Sequence, residues 1–257
     1  MPAILITGAS SGIGAALAKT YAEKGTTLYL TGRNSQRLEN VKNMCRSRGA
    51  VVHIFCCDVL DAPPLRSWIL LADTETPLDL VIANAGISGG TSLGHTHEGD
   101  MEQGLESEKK ILETNVIGVL NTIHPIIPRM ALRKQGHIAV ISSLAGFLPL
   151  PSAPAYAASK AAIRFYTEAL SSKLLPHNVH TSIICPGFIK SPMTEANEFS
   201  MPLLMETDDA AQYIAGKLAK KKPQISFPWS MYILLSLLSI LPRTMVNYLT
   251  HSLPEKG

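Results

Sequence analysis

The sequence predicts an α/β protein built on one parallel β-sheet with helices on both faces. Short, continuously apolar runs alternate along the chain with longer segments of helical character. Strands that are covered on both faces read as such unbroken runs. Several runs end in glycine, serine or asparagine, at the edge where a doubly wound sheet binds its ligand. We expect about seven strands in one domain that spans residues 1–257.

The overall composition argues against some classes of function. The chain has 257 residues, of which 46% are hydrophobic and 17% charged, and its formal net charge is +3. It has no basic stripe with interleaved aromatic residues, so we do not expect nucleic acid as a partner. The four cysteines lack metal-site spacing and are expected to be buried, reduced thiols of a cytoplasmic protein. His95 and His97 have no third ligand at a recognisable spacing, so no metal site is expected.

The first apolar run, Ala3–Thr7, leads into a glycine-rich turn and then into an amphipathic helix over residues 15–24. Glycines allow a tight turn and let a pyrophosphate approach the N–H groups that begin the helix, where the dipole favours an anion. The glycines are spaced Gly-x-x-x-Gly-x-Gly, which differs from the common dinucleotide-binding fingerprint. The expected binding residues of this turn are Gly8, Ser10, Ser11, Gly12, Ile13 and Gly14.

Further apolar runs predict the strands that follow. They span residues 27–31, 51–57, 78–83, Gly136–Ile141 and 180–185. A long helix is expected over residues 106–131. Polar residues and glycines follow the strand ends, so we expect them at one edge of the sheet.

The stretch from Ser142 to Lys160 carries the residues expected to perform chemistry. Tyr156 and Lys160 are four residues apart, so on a helix they share one face, with Cβ atoms about 5–6 Å apart. A neighbouring ammonium favours the phenolate, so we expect Lys160 to lower the pKa of Tyr156 from about 10. Ser143 could hydrogen-bond the same reacting oxygen. The Tyr-x-x-x-Lys pair is a weak signal by itself, because many solvated helices carry it.

Taken together, these motifs resemble those of the short-chain dehydrogenase/reductase family. The matching elements, in the family's order, are Thr7-Gly8-x-x-x-Gly12-Ile13-Gly14, Asn84-Ala85-Gly86, Asn115, Ser143, Tyr156-x-x-x-Lys160 and Pro186-Gly187. The resemblance covers most of the chain, from residue 3 to about residue 193. It implies a Rossmann-type fold and hydride transfer between a nicotinamide cofactor and a carbonyl or alcohol.

The resemblance also implies roles for individual residues. Tyr156 would exchange a proton with the reacting oxygen, and Lys160 would hold the nicotinamide ribose. Ser143, which its spacing favours over Ser142, would hydrogen-bond the reacting oxygen. Asn115 would position a water that links Lys160 to solvent. Further cofactor contacts are expected at Asp58, Val59, Asn84, Ala85, Gly86, Pro186, Gly187, Ile189 and Ser191.

The end of the second strand indicates which nicotinamide cofactor is used. NAD-dependent relatives carry an aspartate there, which accepts the ribose 2′-hydroxyl and repels a 2′-phosphate. In this chain Gly32 stands at that position and Arg33 follows it, and a guanidinium can hold a 2′-phosphate bidentately. We therefore expect NADP. NAD is the alternative, because Ser11 replaces the basic residue that some NADP-dependent members have before Gly12.

The chain beyond residue 187 departs from the pattern of many soluble family members. Residues 188–206 form the expected substrate-binding loop, whose methionines and large apolar side chains suit a hydrophobic ligand. A helix with Thr207 as its N-cap is expected next. An apolar helical extension over 228–252 follows, with a centre too short to cross a bilayer. It is expected to wall a hydrophobic pocket, pack in an oligomer, or lie in a membrane surface with Arg243 and Lys256 near the headgroups.

The most consistent interpretation is an NADP-dependent oxidoreductase that reduces a ketone or aldehyde of a hydrophobic, lipid-like molecule. NAD-linked oxidation of a secondary alcohol is the alternative within the same class. A non-catalytic cofactor-binding protein and a membrane-tethering module are alternatives from other classes. By analogy with the family, we expect a homodimer or homotetramer in the cytoplasm, with peripheral membrane contact through the C-terminus.

Overall fold

A parallel β-sheet organises the protein, as seen in a computed structural model that describes residues 2–89, 98–195 and 200–250. All neighbouring strands in this 7-stranded sheet are parallel. In chain order the strands are β1 (Ala3–Thr7), β2 (Thr27–Gly32), β3 (Val51–Cys56), β4 (Leu80–Ala83), β5 (Gly136–Ile141), β6 (Val179–Pro186) and β7 (Gln224–Phe227). Their order across the sheet is β3-β2-β1-β4-β5-β6-β7. The predicted α/β class with a doubly wound parallel sheet is confirmed.

Helices connect the strands and cover the sheet. In chain order they are α1 (Gly12–Tyr21), α2 (Ser35–Ser47), α3 (Ala62–Glu75), α4 (Glu98–Leu112), α5 (Gly118–Ile123), α6 (Ile127–Arg133), α7 (Pro154–Leu174), α8 (Pro192–Glu195), α9 (Thr207–Ala219), α10 (Trp229–Ile240) and α11 (Arg243–Thr250). A π-helical segment, Glu113–Ile117, joins α4 to α5. Short 3₁₀ turns, Leu144–Phe147 and Leu175–His177, follow β5 and α7.

Each face of the sheet has its own apolar core. Successive residues of a strand point to opposite faces, so Ile4 and Ile6 of β1 enter one core and Leu5 enters the other. Helices α1, α2 and α9 contribute to the first core, and α3, α5 and α7 contribute to the second. The chain order of the strands reverses between β1 and β4, which places a ligand crevice at their carboxyl ends.

The element boundaries differ from the predicted ones in informative places. The single helix predicted over 106–131 is divided into α4, the π-helical segment, α5 and α6. Pro125 falls between α5 and α6, where its missing N–H cannot continue a helix. Thr207 was wrong as the N-cap of α9, because Glu206 occupies that position. The Thr207 hydroxyl instead donates to the carbonyl oxygen of Lys190.

The cysteines and the apolar extension need two further comments. Cys45, Cys57 and Cys185 are buried free thiols, as expected, but Cys56 is exposed because β3 is an edge strand. Within the described ranges, no helix is both long and apolar enough to cross a bilayer. Expectations that concern His95, His97, Lys256, loop residues 196–199 and the side chain of Arg243 lie outside the described residues.

Candidate active site

An open cleft lies at the carboxyl edge of the sheet and encloses about 1210 Å³, including the space at its mouth. Residues that follow the strands form its walls, as the topology requires. The predicted site residues on these walls are Gly8, Ser10, Ser11, Gly12, Ile13, Arg33, Asp58, Val59, Asn84, Ala85, Gly86, Ser143, Tyr156, Lys160, Pro186, Gly187, Ile189 and Ser191. Gly14 and Asn115 contact these wall residues and support them.

The glycine turn after β1 is held tightly against the end of β4. Gly8 and Gly12 have positive φ angles of 66° and 53°, which favour glycine. The side-chain amide of Asn84 donates to the carbonyl oxygens of Thr7 at 3.0 Å and Gly8 at 3.1 Å. A Cβ atom on Gly14 would lie 2.4 Å from the Gly8 carbonyl oxygen. The turn therefore brings the start of α1 to the cleft, where the first N–H groups of a helix have no partner within it.

Tyr156 and Lys160 lie in the first turns of α7. The helix begins at Pro154, whose missing N–H costs nothing in a first turn. The Nζ atom of Lys160 is 5.7 Å from the centre of the Tyr156 ring. The same ammonium donates a hydrogen bond to the carbonyl oxygen of Ile141 at 3.0 Å. Lys160 is therefore anchored at the end of β5 beside the tyrosine ring.

Burial shifts the pKa values of both side chains. It raises the pKa of Tyr156 above the ordinary 10, although part of the ring borders the cleft, while the hydrogen bond with Ser143 acts in the opposite direction. Burial lowers the pKa of Lys160 to about 8, and the interaction with Cys185 acts against this. The expectation that Lys160 lowers the pKa of Tyr156 was wrong, because desolvation of the phenol dominates.

The two serines after β5 have different partners. The Oγ atom of Ser143 accepts a hydrogen bond from the N–H of Ala145 at 3.1 Å, and this hydroxyl also interacts with Tyr156. The Ser142 hydroxyl donates to the carbonyl oxygen of Lys160 at 2.8 Å. Ser142 therefore ties β5 to α7, whereas Ser143 is the serine that faces the phenol.

Asn115 is fully buried in the π-helical segment. Its Oδ1 atom accepts from the N–H of Ile87 at 2.8 Å, and its Nδ2 donates to the Ile87 carbonyl oxygen at 2.9 Å. Nδ2 also donates to Ser159 Oγ at 3.0 Å, and the Ser159 hydroxyl donates to the carbonyl oxygen of Tyr156 at 2.7 Å. Asn115 thus connects the segment after β4 to the helix that carries Tyr156. A π-helical turn often occurs at functional sites.

Arg33 and Asp58 meet at the other end of the cleft. The Arg33 guanidinium lies 3.5 Å from the Asp58 carboxylate, and their side chains are 53% and 27% exposed. An exposed pair of this length is weak, so a stronger anion can compete for the guanidinium. Arg37, on the first turn of α2, lines the same end of the cleft.

Arg37 and Thr114 were missed by reasoning from the sequence, and Thr7 was named there only as part of the glycine motif. Thr7 Oγ1 accepts from the N–H groups of Asn84 and Ala85, at 3.2 and 3.3 Å. Thr114 lines the cleft, and its buried Oγ1 lacks a hydrogen-bond partner among the described residues. Arg37 lies only four residues beyond Arg33, and this clustering of basic residues after β2 could have revealed it. Thr114 carried no such local signal.

These features fit a dinucleotide. The glycine turn leaves room for a phosphate to approach the backbone at the start of α1. Arg33 and Arg37 supply positive charge at one end of the cleft. Tyr156 and Lys160 border the cleft at β5. Fold and site together define a class, namely a dinucleotide-binding α/β protein with a tyrosine and a lysine on the wall of its cleft.

Comparison with known proteins gives the family. The model of the short chain dehydrogenase family matches residues 2–200. An uncharacterized oxidoreductase of Myxococcus xanthus is 36% identical over 244 residues, which are 95% of this chain and 94% of that protein. The chain belongs to the short-chain dehydrogenase family, a family of oxidoreductases, as the resemblance implied.

Solved structures agree with the fold. A short-chain dehydrogenase from Sphingobium yanoikuyae, in complex with NADPH, is 24% identical with a TM-score of 0.78, covering 95% of this chain and 97% of that one. A short chain dehydrogenase/reductase from Burkholderia phymatum, in complex with NAD, is 23% identical with a TM-score of 0.80, covering 100% and 97%. Both likenesses support the fold of this chain.

Proposed function

We propose that this protein uses NADPH to reduce a ketone or aldehyde of a hydrophobic, lipid-like molecule. The observation that carries the proposal is the meeting of Ser143, Tyr156 and Lys160 on one cleft with the glycine turn. In this proposal NADPH, when bound, supplies a hydride to the carbonyl carbon. Tyr156 donates a proton to the carbonyl oxygen, and Ser143 donates a hydrogen bond to it.

The protonation states support the reductive direction. A raised pKa keeps the Tyr156 phenol protonated at neutral pH, as a proton donor requires. Lys160, with a pKa of about 8, keeps most of its charge at neutral pH and can donate to the hydroxyls of a ribose. Asn115 holds Ile87 and α7 in place and, in this proposal, positions a water that carries protons to Lys160.

The preference for NADPH rests on the end of β2. Arg33 would bind the 2′-phosphate, and Arg37 adds positive charge to the same region. A Cβ atom on Gly32 would lie 3.0 Å from Ser10 Oγ and 3.1 Å from Ser10 Cβ, so an acidic side chain would be crowded there. Glycine at this position therefore favours the phosphorylated cofactor in two ways. It removes a repelling carboxylate and leaves space beside Ser10.

The remaining binding roles complete the proposal. The turn from Gly8 to Gly14, with Asn84, Ala85 and Gly86, would hold the pyrophosphate and adjacent ribose. Asp58 and Val59 would contact the adenine, while Pro186, Gly187, Ile189 and Ser191 would border the nicotinamide.

A hydrophobic substrate is favoured by the surroundings of the cleft. Exposed Met193, Leu203 and Leu204 lie on the loop over 188–206. Behind the cleft wall, a Cβ atom on Gly187 would meet Pro228 Cδ at 3.0 Å and Met231 Sδ at 3.3 Å. The apolar extension over 228–252 is therefore part of the surroundings of the site.

We further propose one domain over 1–257, a cytoplasmic homodimer or homotetramer, and peripheral membrane contact through that extension.

The test is the initial rate of NADPH oxidation with ketones and aldehydes of graded chain length, with NADH as the cofactor control. We expect the specificity constant to rise with chain length and to be higher with NADPH than with NADH. Reduction of small polar carbonyls in preference to long ones would contradict the substrate class. Faster turnover of NAD with secondary alcohols would favour the alternative activity.

A further inference from the structure

Helix α10 presents an apolar face to solvent. Its sequence, WSMYILLSLLSI, contains no charged residue. Trp229 is 72% exposed, Leu237 60% and Ile240 78%, and Ile233 and Leu234 are exposed beside them. These five residues are called the α10 face below. A surface helix of a globular protein normally presents polar residues to water, so this face is expected to be covered.

The opposite side of α10 fixes the helix to the protein. Met231, Tyr232 and Leu235 pack against the core that α3, α5 and α7 share. The ring of Tyr232 meets that of Phe147 edge to face, with 5.5 Å between the ring centres. The helix is therefore part of the folded body, and the α10 face has a fixed position on it.

The charges around this face indicate what covers it. Helix α10 packs against the turn Leu144–Phe147 and against β7, and neither element contains a charged residue. In the sequence from 223 to 250 the single charged residue is Arg243, which begins α11. Because this stretch has no carboxylate to repel lipid phosphates, its charge complements an anionic membrane.

We infer that the α10 face docks this protein on the surface of an anionic lipid bilayer. At 1.5 Å per residue, α10 is roughly 18 Å long, well short of the ~30 Å needed to cross the hydrocarbon core. It therefore lies in the plane of the interface. Trp229 and the exposed Tyr248 of α11 are residue types that favour the headgroup region.

The N-terminal end of α10 lies beside the wall of the active-site cleft. Pro228 and Met231 lie against Gly187, which lines the cleft. A hydrophobic carbonyl dissolved in the bilayer would thus enter the cleft beside α10 without crossing bulk water. Docking assigns the membrane contact proposed above to the α10 face and to anionic lipid. Entry of the substrate rests on the proposed reduction, whereas docking itself does not depend on which substrate is reduced.

The test uses the full chain and vesicles of phosphatidylcholine that contain phosphatidylglycerol. We expect the protein to sediment with these vesicles, and Leu237→Asp to weaken binding about tenfold or more. Ile240→Asp is a second variant, and both changes leave the core intact because the side chains are exposed. Leu132→Asp is the matched control, since Leu132 is 88% exposed on α6, and we expect its binding to be unchanged.

Tryptophan fluorescence provides an independent measurement. The chain has two tryptophans, so Trp68→Phe leaves Trp229 as the reporter. We expect its emission to shift to shorter wavelength when vesicles are added. A protein that stays in the supernatant would overturn the inference, and so would an oligomer that Leu237→Asp dissociates while no vesicles are bound. Vesicle binding without NADPH-dependent reduction of any carbonyl would contradict the proposed function while leaving the docking surface in place.

Discussion

The Nζ atom of Lys160 lies 5.7 Å from the centre of the Tyr156 ring. Both side chains are held by the same helix, and burial shifts their pKa values in opposite directions, upward for the tyrosine and downward for the lysine. At neutral pH this favours a protonated phenol beside a lysine that is still largely charged. These protonation states are the ones that the proposed proton donation by Tyr156 requires.

The pKa of Lys160 predicts how cofactor binding depends on pH. Below about 8 the ammonium is charged and can donate to ribose hydroxyls, and above that pH the charge is lost. We expect the affinity for NADPH, followed by its fluorescence, to fall as pH rises through about 8. Lys160→Met should bind NADPH more weakly and lose that dependence. The exposed Lys109→Met serves as control, and an identical pH profile in the Lys160→Met variant would refute this assignment.

Two glycine-to-alanine changes should have opposite effects on the free energy of unfolding. A Cβ atom on Gly14 would lie 2.4 Å from a backbone oxygen, so we expect Gly14→Ala to lose about 1–3 kcal/mol and to weaken NADPH binding. Gly216, within α9, has no atom of the described residues within 4 Å of an added Cβ. Gly216→Ala should gain about 0.5–1 kcal/mol. Chemical denaturation measures both, and a stable Gly14→Ala protein would show that the turn is less tightly packed than described.

The buried His137 predicts a loss of stability in acid. Burial, together with His180 and Lys221, lowers its pKa from 6.5 to about 4. Between these values the unfolded chain binds more protons than the folded one, so the free energy of unfolding falls as pH falls from 6.5 to about 4. The difference between these two pKa values corresponds to roughly 3 kcal/mol in the free energy of unfolding.

Denaturation at a series of pH values tests this effect. His137→Asn should reduce the slope in that window, whereas His53→Asn, at an exposed position of β3, should not. Equal slopes in all three proteins would mean that other groups cause the dependence.

Arg33→Ala tests the basis of cofactor choice. A charge-assisted hydrogen bond contributes about 1.5–3 kcal/mol, so we expect the KM for NADPH to rise roughly 10- to 100-fold, while the KM for NADH changes little. Arg37→Ala, at the same end of the cleft, should have a smaller effect. An equal rise in the KM for both cofactors would show that Arg33 stabilises the site as a whole and does not bind the 2′-phosphate specifically.

Most of the fold could be predicted because its strands are buried on both faces. Their apolar runs located β1 and β5 to the residue and the ends of β2, β3, β4 and β6 to within one or two residues, whereas β7 was not located from the sequence. The edge strand β3 mixes buried and exposed residues. The exposure of Cys56 follows from the place of this strand in the sheet and not from the neighbouring residues in the sequence. The π-helical segment around Asn115 was missed, since its backbone geometry depends on tertiary contacts with Ile87 and Ser159.

The site was predictable where a local motif carried it. The glycine turn, Asn84 and the Tyr156–Lys160 pair have spacings that can be read from the chain, and they border or contact one cleft. The pKa of Tyr156 was not predictable, because it depends on how fully the folded protein excludes water from the phenol. The same holds for Thr114, which borders the cleft only through the packing of the π-helical segment on which it lies.

The most direct test of the proposed chemistry is the turnover of NADPH with a long-chain ketone by the Tyr156→Phe variant. We expect kcat to fall by about 10²- to 10⁴-fold while the affinity for NADPH is unchanged, because in the proposed mechanism the phenol hydroxyl donates the proton. Tyr166→Phe, the same change further along α7, should keep full turnover, since its hydroxyl bonds to His124. Unchanged turnover by Tyr156→Phe would contradict the account.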